Sequence, residues 1–247
     1  MKGGEILRIQ FEFQMEKLPI AYRLGMLSII KEMIHKGSKQ YFHKLFNKNK
    51  RELKPFSHAT FIRNLQIDND ELQGDRLYLT ISSPSYEFIM HLINGSGRRT
   101  TYKYKDFSLT LISKRLLPSS PQFTDKVTFK TLSPILIENK ERQPLQASDP
   151  TFELELNYYA TLLAKELFNR NLFQPIKLIG TNMKKVVIKE NVHQEQTDNI
   201  FFTGNEGLIQ LSGDKEDLKL LYDCGIGLRR SLGFGLLDVE GVTYANE

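Results

Sequence analysis

Residues 5–14, EILRIQFEFQ, alternate between apolar and polar side chains, with Leu7, Ile9, Phe11 and Phe13 on one side and Arg8, Gln10, Glu12 and Gln14 on the other. A period of two rich in aromatic and β-branched residues predicts a strand. From Pro19 the period lengthens. Ile20, Leu24, Leu27 and Ile34, broadened by Ile30 and Met33, predict a helix that Gly37-Ser38 ends. KQYFHKLF predicts a short further helix. HATFIRNLQI and DRLYLTISS predict two strands joined by the polar hairpin loop DNDELQGD. PSYEFIMHLINGSG predicts a helix starting at Pro84 or Ser85 and stopping at Gly95, and YKDFSLTLISKRL a further strand. The order is β-α-β-β-α-β.

LPSSPQ (117–122) reads as a junction, and the pattern then restarts. KVTFKTLSPILIE predicts a strand. DPTFELELNYYATLLAKELFNR predicts a helix capped by Asp149, with Pro150 in its first turn and a face at Phe152, Leu156, Tyr159, Leu163 and Leu167. KKVVIKENVHQ and NIFFTGNEGLIQLSG predict two strands, DKEDLKLLYDC a helix capped by Asp214, and FGLLDVEGV a closing strand. The same β-α-β-β-α-β order recurs. The expected fold is α+β, two tandem ferredoxin-like (RRM-like) domains over residues 1–120 and 121–247.

The chain has 247 residues, 40% hydrophobic and 26% charged, a balance suited to a packed fold and not to a disordered chain. No apolar run approaches the roughly 20 residues of a membrane span. The N-terminus lacks the continuous apolar centre of a signal peptide, and the single cysteine, Cys224, excludes an intrachain disulfide. Cytoplasmic residence is the expectation. A net charge of +5 favours a polyanionic partner. The five histidines (35, 43, 58, 91, 193) are scattered, with no H-E-x-x-H spacing and no cysteine partner, so neither a metal nor a cofactor is expected.

Residues 221–241, LYDCGIGLRRSLGFGLLDVEG, hold the most concentrated signal. Glycine-rich loops cradle phosphate where backbone N–H groups approach an anion without an intervening Cβ. Phosphate loops and dinucleotide fingerprints both run strand, loop, helix, and here a helix precedes the loop and a strand follows it. No Lys-Ser/Thr follows the last glycine, and the sixth position from Gly225 is Arg230. Both nucleotide-binding readings fail. What remains is either a tight connection whose glycines allow close packing or a loop that presents Arg229 and Arg230 to nucleic acid.

Gly225-Ile-Gly227, five residues, then Gly233-Phe-Gly235, set just before the final strand, resembles the signature of the CRISPR-associated repeat-processing endoribonucleases of the repeat-associated mysterious protein superfamily. TLSPILI (131–137) and YFHKLF…LKPFSHATF support the likeness. The resemblance implies paired ferredoxin-like domains and metal-independent cleavage of CRISPR repeat RNA to guide RNAs in antiviral defence. In that reaction the ribose 2′-hydroxyl attacks the adjacent phosphate, leaving a 2′,3′-cyclic phosphate and a 5′-hydroxyl. Partners admitted by the resemblance are the repeat RNA, other subunits of a CRISPR effector complex and a second copy of the chain.

The resemblance makes His43 the expected catalytic histidine, an imidazole able to give or take a proton near neutral pH. Without it, His43 reads as a surface histidine on a short helix. Lys54 matches the family's downstream lysine, a point charge for the phosphorane, with Lys48 and Lys50 as rivals. Where some members carry a helix-borne tyrosine base this chain has Ser28, with Tyr22 and Tyr41 on either side and His35 a weaker candidate. His58 opens a strand and reads as structural or RNA-facing. For RNA binding the expected residues are Gly225, Gly227, Arg229, Arg230, Gly233 and Gly235, then Arg98 and Arg99 in GSGRRTTYKYK, then Lys184 and Lys185 in NMKKVVIK. In the second of these stretches Tyr102 and Tyr104 would stack on bases, or the stretch is a charged edge strand. Cys224 reads as a packing residue. A non-catalytic RNA-binding subunit of an effector complex is the alternative function, and a ferredoxin-like regulator binding a small anion in the glycine loop is a more distant one.

Overall fold

The alternating segment near the N-terminus becomes the central strand of the first sheet. A computed structural model describes residues 7–46, 52–97, 100–118, 121–191 and 199–241. In the first half the elements are β1 (Leu7–Gln14), β2 (Lys17–Pro19), α1 (Arg23–Gly37), α2 (Lys39–Leu45), β3 (Ser57–Arg63), β4 (Gln66–Asp68), β5 (Glu71–Gln73), β6 (Arg76–Ser83), α3 (Tyr86–Gly95), β7 (Thr101–Tyr104) and β8 (Phe107–Leu116). The sheet order is β3-β6-β1-β8-β7, and every pairing is antiparallel. Ile9, Phe11 and Phe13 of β1 and Leu77, Leu79 and Ile81 of β6 face Met26, Ile30 and Met33 of α1 and Phe88 and Leu92 of α3 in one apolar core. Removing this area from water is the main force holding the layers together.

Two local expectations need correction. Pro19 does not open the first helix. It ends β2, which pairs with β5, and α1 begins only at Arg23. The polar stretch read as a plain hairpin loop contains β5, and the end of the strand before it separates off as β4, giving a small third sheet ordered β2-β5-β4. Leu18 and Leu72 are buried there, and that burial outweighs the polar composition around them. α3 begins at the start the sequence predicts, capped by Ser85, whose Oγ accepts from the Phe88 amide at 3.2 Å.

The second half runs β9 (Lys126–Thr131), α4 (Phe152–Phe168), β10 (Lys177–Asn191), β11 (Asn199–Ser212), α5 (Lys215–Cys224) and β12 (Leu237–Val239). Its sheet order, β10-β11-β9-β12, repeats the β3-β6-β1-β8 order of the first. Both halves are therefore ferredoxin-like. α4 starts one residue after Thr151, not at Asp149; the Asp149 carboxylate accepts from the Gln146 amide, and its carbonyl from the Phe152 amide. Asp214 caps α5, its Oδ1 accepting from the Glu216 amide at 2.8 Å. The boundary residues 119 and 120 lie outside the described residues.

The halves are joined by buried polar contacts. Arg8 of β1 donates to the carbonyls of Tyr222 and Leu237, at 2.5 and 2.7 Å. Ser82 Oγ donates to the Asp223 carbonyl at 2.7 Å. Glu190 of β10 accepts from the Arg23 amide at 3.2 Å, a carboxylate set against the positive end of α1. No helix among the described residues is long and apolar enough to cross a membrane.

Candidate active site

A run of basic and aromatic side chains gathers where α1, α2 and the segment before β3 meet. Lys31 and His35, four residues apart on α1, share one helix face with Ser28. The Ser38 side chain accepts from the Tyr41 amide and so starts α2, whose last turn carries His43. The α1–α2 turn brings the His35 and His43 rings to a centroid distance of 6.5 Å, edge to face, with Phe42 also edge-on to His35 at 5.1 Å. His43 is exposed and His35 half-buried.

Lys54 lies eleven residues on, yet its Nζ donates to the Leu45 carbonyl at 2.5 Å, at the negative end of α2. The Phe46 ring has Lys31 Nζ 5.2 Å and Lys54 Nζ 5.8 Å from its centroid. Burial holds the Lys54 amine below its ordinary range; Glu52 opposes this, and the Lys31 charge adds to the lowering. Two imidazoles and two ammonium groups thus sit around Phe42 and Phe46. This arrangement supplies proton donors, proton acceptors and positive charge in one place.

The fold brings His43 and Lys54 into one neighbourhood. It does the same for Lys31, which sequence reasoning missed, and for His35, which it ranked low. Their four-residue spacing on one helix was the signal available. Lys48 and Lys50 lie outside the described residues. Ser28 Oγ donates back to the Leu24 carbonyl. Tyr41 is buried against His91, with ring centroids 4.9 Å apart, and burial pushes its phenol up. Tyr22 stands at the N-terminus of α1, lining a cleft of about 230 Å³ with Arg23, Thr60, Ser133 and Gly233.

The glycine loop is bonded inward. The amides of Ile226, Leu228 and Gly235 donate to the carbonyls of Gly235, Leu136 and Pro134, at 2.9, 2.9 and 2.8 Å. All four glycines have positive φ, from 71° to 85°. A Cβ on Gly235 would stand 1.9 Å from the Ile226 carbonyl oxygen, and one on Gly227 2.3 Å from that of Leu136. Gly225 abuts Ser57, and Gly233 abuts the His58 ring. His58 is wholly buried; burial first, then the Arg23 charge, push its pKa down to about 3, so the ring is neutral.

The two arginines of the loop part company. Arg229, itself at φ 55°, is exposed, with its guanidinium 4.5 Å from the centroid of Phe202. Arg230 is 5% exposed and donates to the carbonyls of Cys224 and Lys54. Its donors are thus committed inside the fold, not presented at the surface as the sequence reading expected. Lys184 and Lys185 are exposed on β10, Lys184 pairing with Glu206 at 3.6 Å. Arg98 and Arg99 lie outside the described residues. Tyr102 and Tyr104, read as stacking residues, are buried, because β7 turns its tyrosines inward and Lys103 outward. Cys224 is buried, its thiol pushed up to about 12 by burial. Among the described residues no three His, Cys, Asp or Glu side chains converge as a metal site would need.

Known proteins share this fold. The family described as CRISPR associated protein Cas6, C-terminal, matches residues 118–239. CRISPR-associated endoribonuclease Cas6 1 of Methanocaldococcus jannaschii is 25% identical, the match spanning 98% of this chain and 97% of the relative. A solved Cas6-related protein from Pyrococcus furiosus superposes with a TM-score of 0.79 at 20% identity, over 96% of this chain and all of that one. A structure described as an RAMP protein binding different RNA substrates gives 0.77 at 18% identity, over 94% of this chain and 99% of that one. The structural likenesses establish the tandem ferredoxin-like fold. The sequence matches make the chain similar to the Cas6 CRISPR-associated repeat-processing proteins, over its C-terminal half in the family model and over nearly its whole length in the relative.

Proposed function

We propose that the chain is a metal-independent endoribonuclease that cuts CRISPR repeat RNA into guide RNAs. The observation that carries this reading is the grouping of His35, His43, Lys31 and Lys54 around α1 and α2. One imidazole takes the proton of the ribose 2′-hydroxyl as its oxygen bonds to phosphorus. The other imidazole, protonated, delivers its proton to the departing 5′-oxygen as the P–O5′ bond breaks. Lys54 places positive charge against the developing phosphorane, with Lys31 beside it. The products are a 2′,3′-cyclic phosphate and a 5′-hydroxyl.

His43 is the first choice of catalytic residue, and His35 is the choice for the base position that Ser28 leaves open. Exposed Arg229, Lys184 and Lys185 contact RNA phosphates, an electrostatic term that weakens with salt. The RNA is the repeat transcript, and the protein acts in the cytoplasm.

The test incubates repeat RNA from the same genome with the protein in EDTA. Parallel reactions use His43→Ala protein and a repeat carrying one 2′-deoxy nucleotide at the cut site. A single cut that survives EDTA and is lost with either change is the expected result. Tight binding without a cut would instead make the chain a non-catalytic subunit of an effector complex, and absence of binding would reject the reading.

A further inference from the structure

Residues 54–58 lie in a mould made mainly by a part of the chain about 170 positions away, with Ser133 nearer in sequence. Gly225 abuts Ser57, Gly233 abuts the imidazole of His58, and Ser133 Oγ donates to the His58 carbonyl at 3.3 Å. At the near end of that mould stands Arg230. Its Nη1 donates to the Cys224 carbonyl at 2.7 Å and its Nη2 to the Lys54 carbonyl at 3.1 Å.

A buried guanidinium is tolerated only when its donors are satisfied, and its planar fork fixes the direction of each acceptor. Arg230 therefore constrains where the Lys54 backbone lies relative to the end of α5. Pro55 follows, and the residue before a proline is held to extended conformations, which narrows the choice further. The far end of Lys54 is fixed as well, by the Leu45 carbonyl at the end of the helix that carries His43. Lys54 is thus held at its carbonyl by the glycine loop and at its ammonium by α2.

We propose that Arg230 is a positioning residue, and that the glycine loop serves the reaction by setting, through Arg230, the backbone from which Lys54 reaches the candidate site. The inference rests on the proposed catalytic role of Lys54. It gives the signature loop a task distinct from phosphate binding: Arg229 faces solvent, and its neighbour works inside the fold.

The test compares full-length parent, Arg230→Lys and Arg230→Met proteins. The Lys54 amine is titrated by NMR after ¹³C-dimethylation, with its resonance assigned by its loss in Lys54→Arg. In the parent it titrates below the ordinary lysine range, and in both Arg230 variants it moves back toward that range. Single-turnover cleavage of saturating repeat RNA falls about tenfold to a hundredfold, the scale of a small misplacement of a catalytic group. Affinity for the 2′-deoxy repeat and its dependence on salt stay unchanged. In a Lys54→Ala background, Arg230→Lys causes no further loss, because the two changes act on one group.

An unchanged Lys54 titration, or losses that multiply with those of Lys54→Ala, would overturn the proposal. Weaker repeat binding with a shallower salt slope would do the same and make Arg230 a phosphate contact. If the parent cuts no RNA, the proposed function fails while the Lys54 titration still decides the role of Arg230. Should Arg230→Met fail to fold, Arg230→Lys carries the comparison, since it retains the charge and one donor.

Discussion

The guanidinium of Arg8 stacks on the ring of Tyr222, its central carbon 3.5 Å from the ring centroid, while the same side chain donates to the Tyr222 carbonyl. One residue of the first strand thus grips the last helix by both its ring and its backbone. Replacing Arg8 with methionine keeps the apolar stem and leaves the Tyr222 and Leu237 carbonyls without that donor. The expected loss of stability is about 2–4 kcal/mol, read from the midpoint of chemical denaturation. A change under about 1 kcal/mol would show that these bonds do not hold the halves together.

His58 and Asp223 pull the pH dependence of stability in opposite directions. Its folded pKa is pushed down to about 3 from an unfolded value of 6.5. Below 6.5 the unfolded chain binds a proton that the fold refuses, so His58 costs stability at about 1.4 kcal/mol per pH unit down to about 3. Asp223 acts in the opposite sense. Burial raises its pKa from 3.8 to about 6, so the fold protonates first and gains stability as pH falls through that window. Between about pH 6 and 4 these two contributions nearly cancel in the parent, so denaturation midpoints should drop on acidification in Asp223→Asn more than in the parent. For His58→Leu, which keeps only the Asp223 effect, they should rise relative to the parent as pH falls. Parallel curves for all three proteins would contradict this assignment.

The imidazole pair predicts a pH signature of cleavage. Single-turnover rates of the parent should trace a bell against pH, since one ring must be neutral and the other protonated. His43→Ala should lower the rate by about 10²–10⁴-fold. His35→Ala should leave one limb of the bell, and an intact bell in that variant would remove His35 from the reaction.

The proposed RNA contacts of the exposed lysines on β10 predict a share of the ionic component of affinity. In Lys184→Ala/Lys185→Ala protein the slope of log affinity against log salt should flatten by about 1–2. The weakening should be alike for repeat and unrelated RNA. An unaltered slope would place the RNA elsewhere.

Much of this architecture could be read from periodicity and caps. Ser85 and Asp214 announced α3 and α5, and the repeated element order announced the two sheets. β4 and β5 escaped notice because Leu72 is their only buried apolar residue, Ile67 being exposed, and the burial of Leu72 depends on Leu18, far away in the chain. At β7 the alternation of tyrosine and lysine was visible, but a period does not say which side meets the core. Arg229 and Arg230 look alike in sequence. What separates them is the positive φ at Arg229, which turns neighbouring side chains in opposite directions. Lys31 and His35 were visible as a helical pair, whereas nothing local announced that Lys54 would join them.

The bond from Arg230 to Lys54 spans 176 residues of chain. On a ribosome adding about 5–20 residues each second, the first half is complete about 5–20 seconds before Arg230 has been made. During that interval His43 and Lys54 exist, but the loop that braces Lys54 does not. The order of synthesis therefore brings the glycine loop late, and a chain truncated before it carries the proposed catalytic side chains without their support.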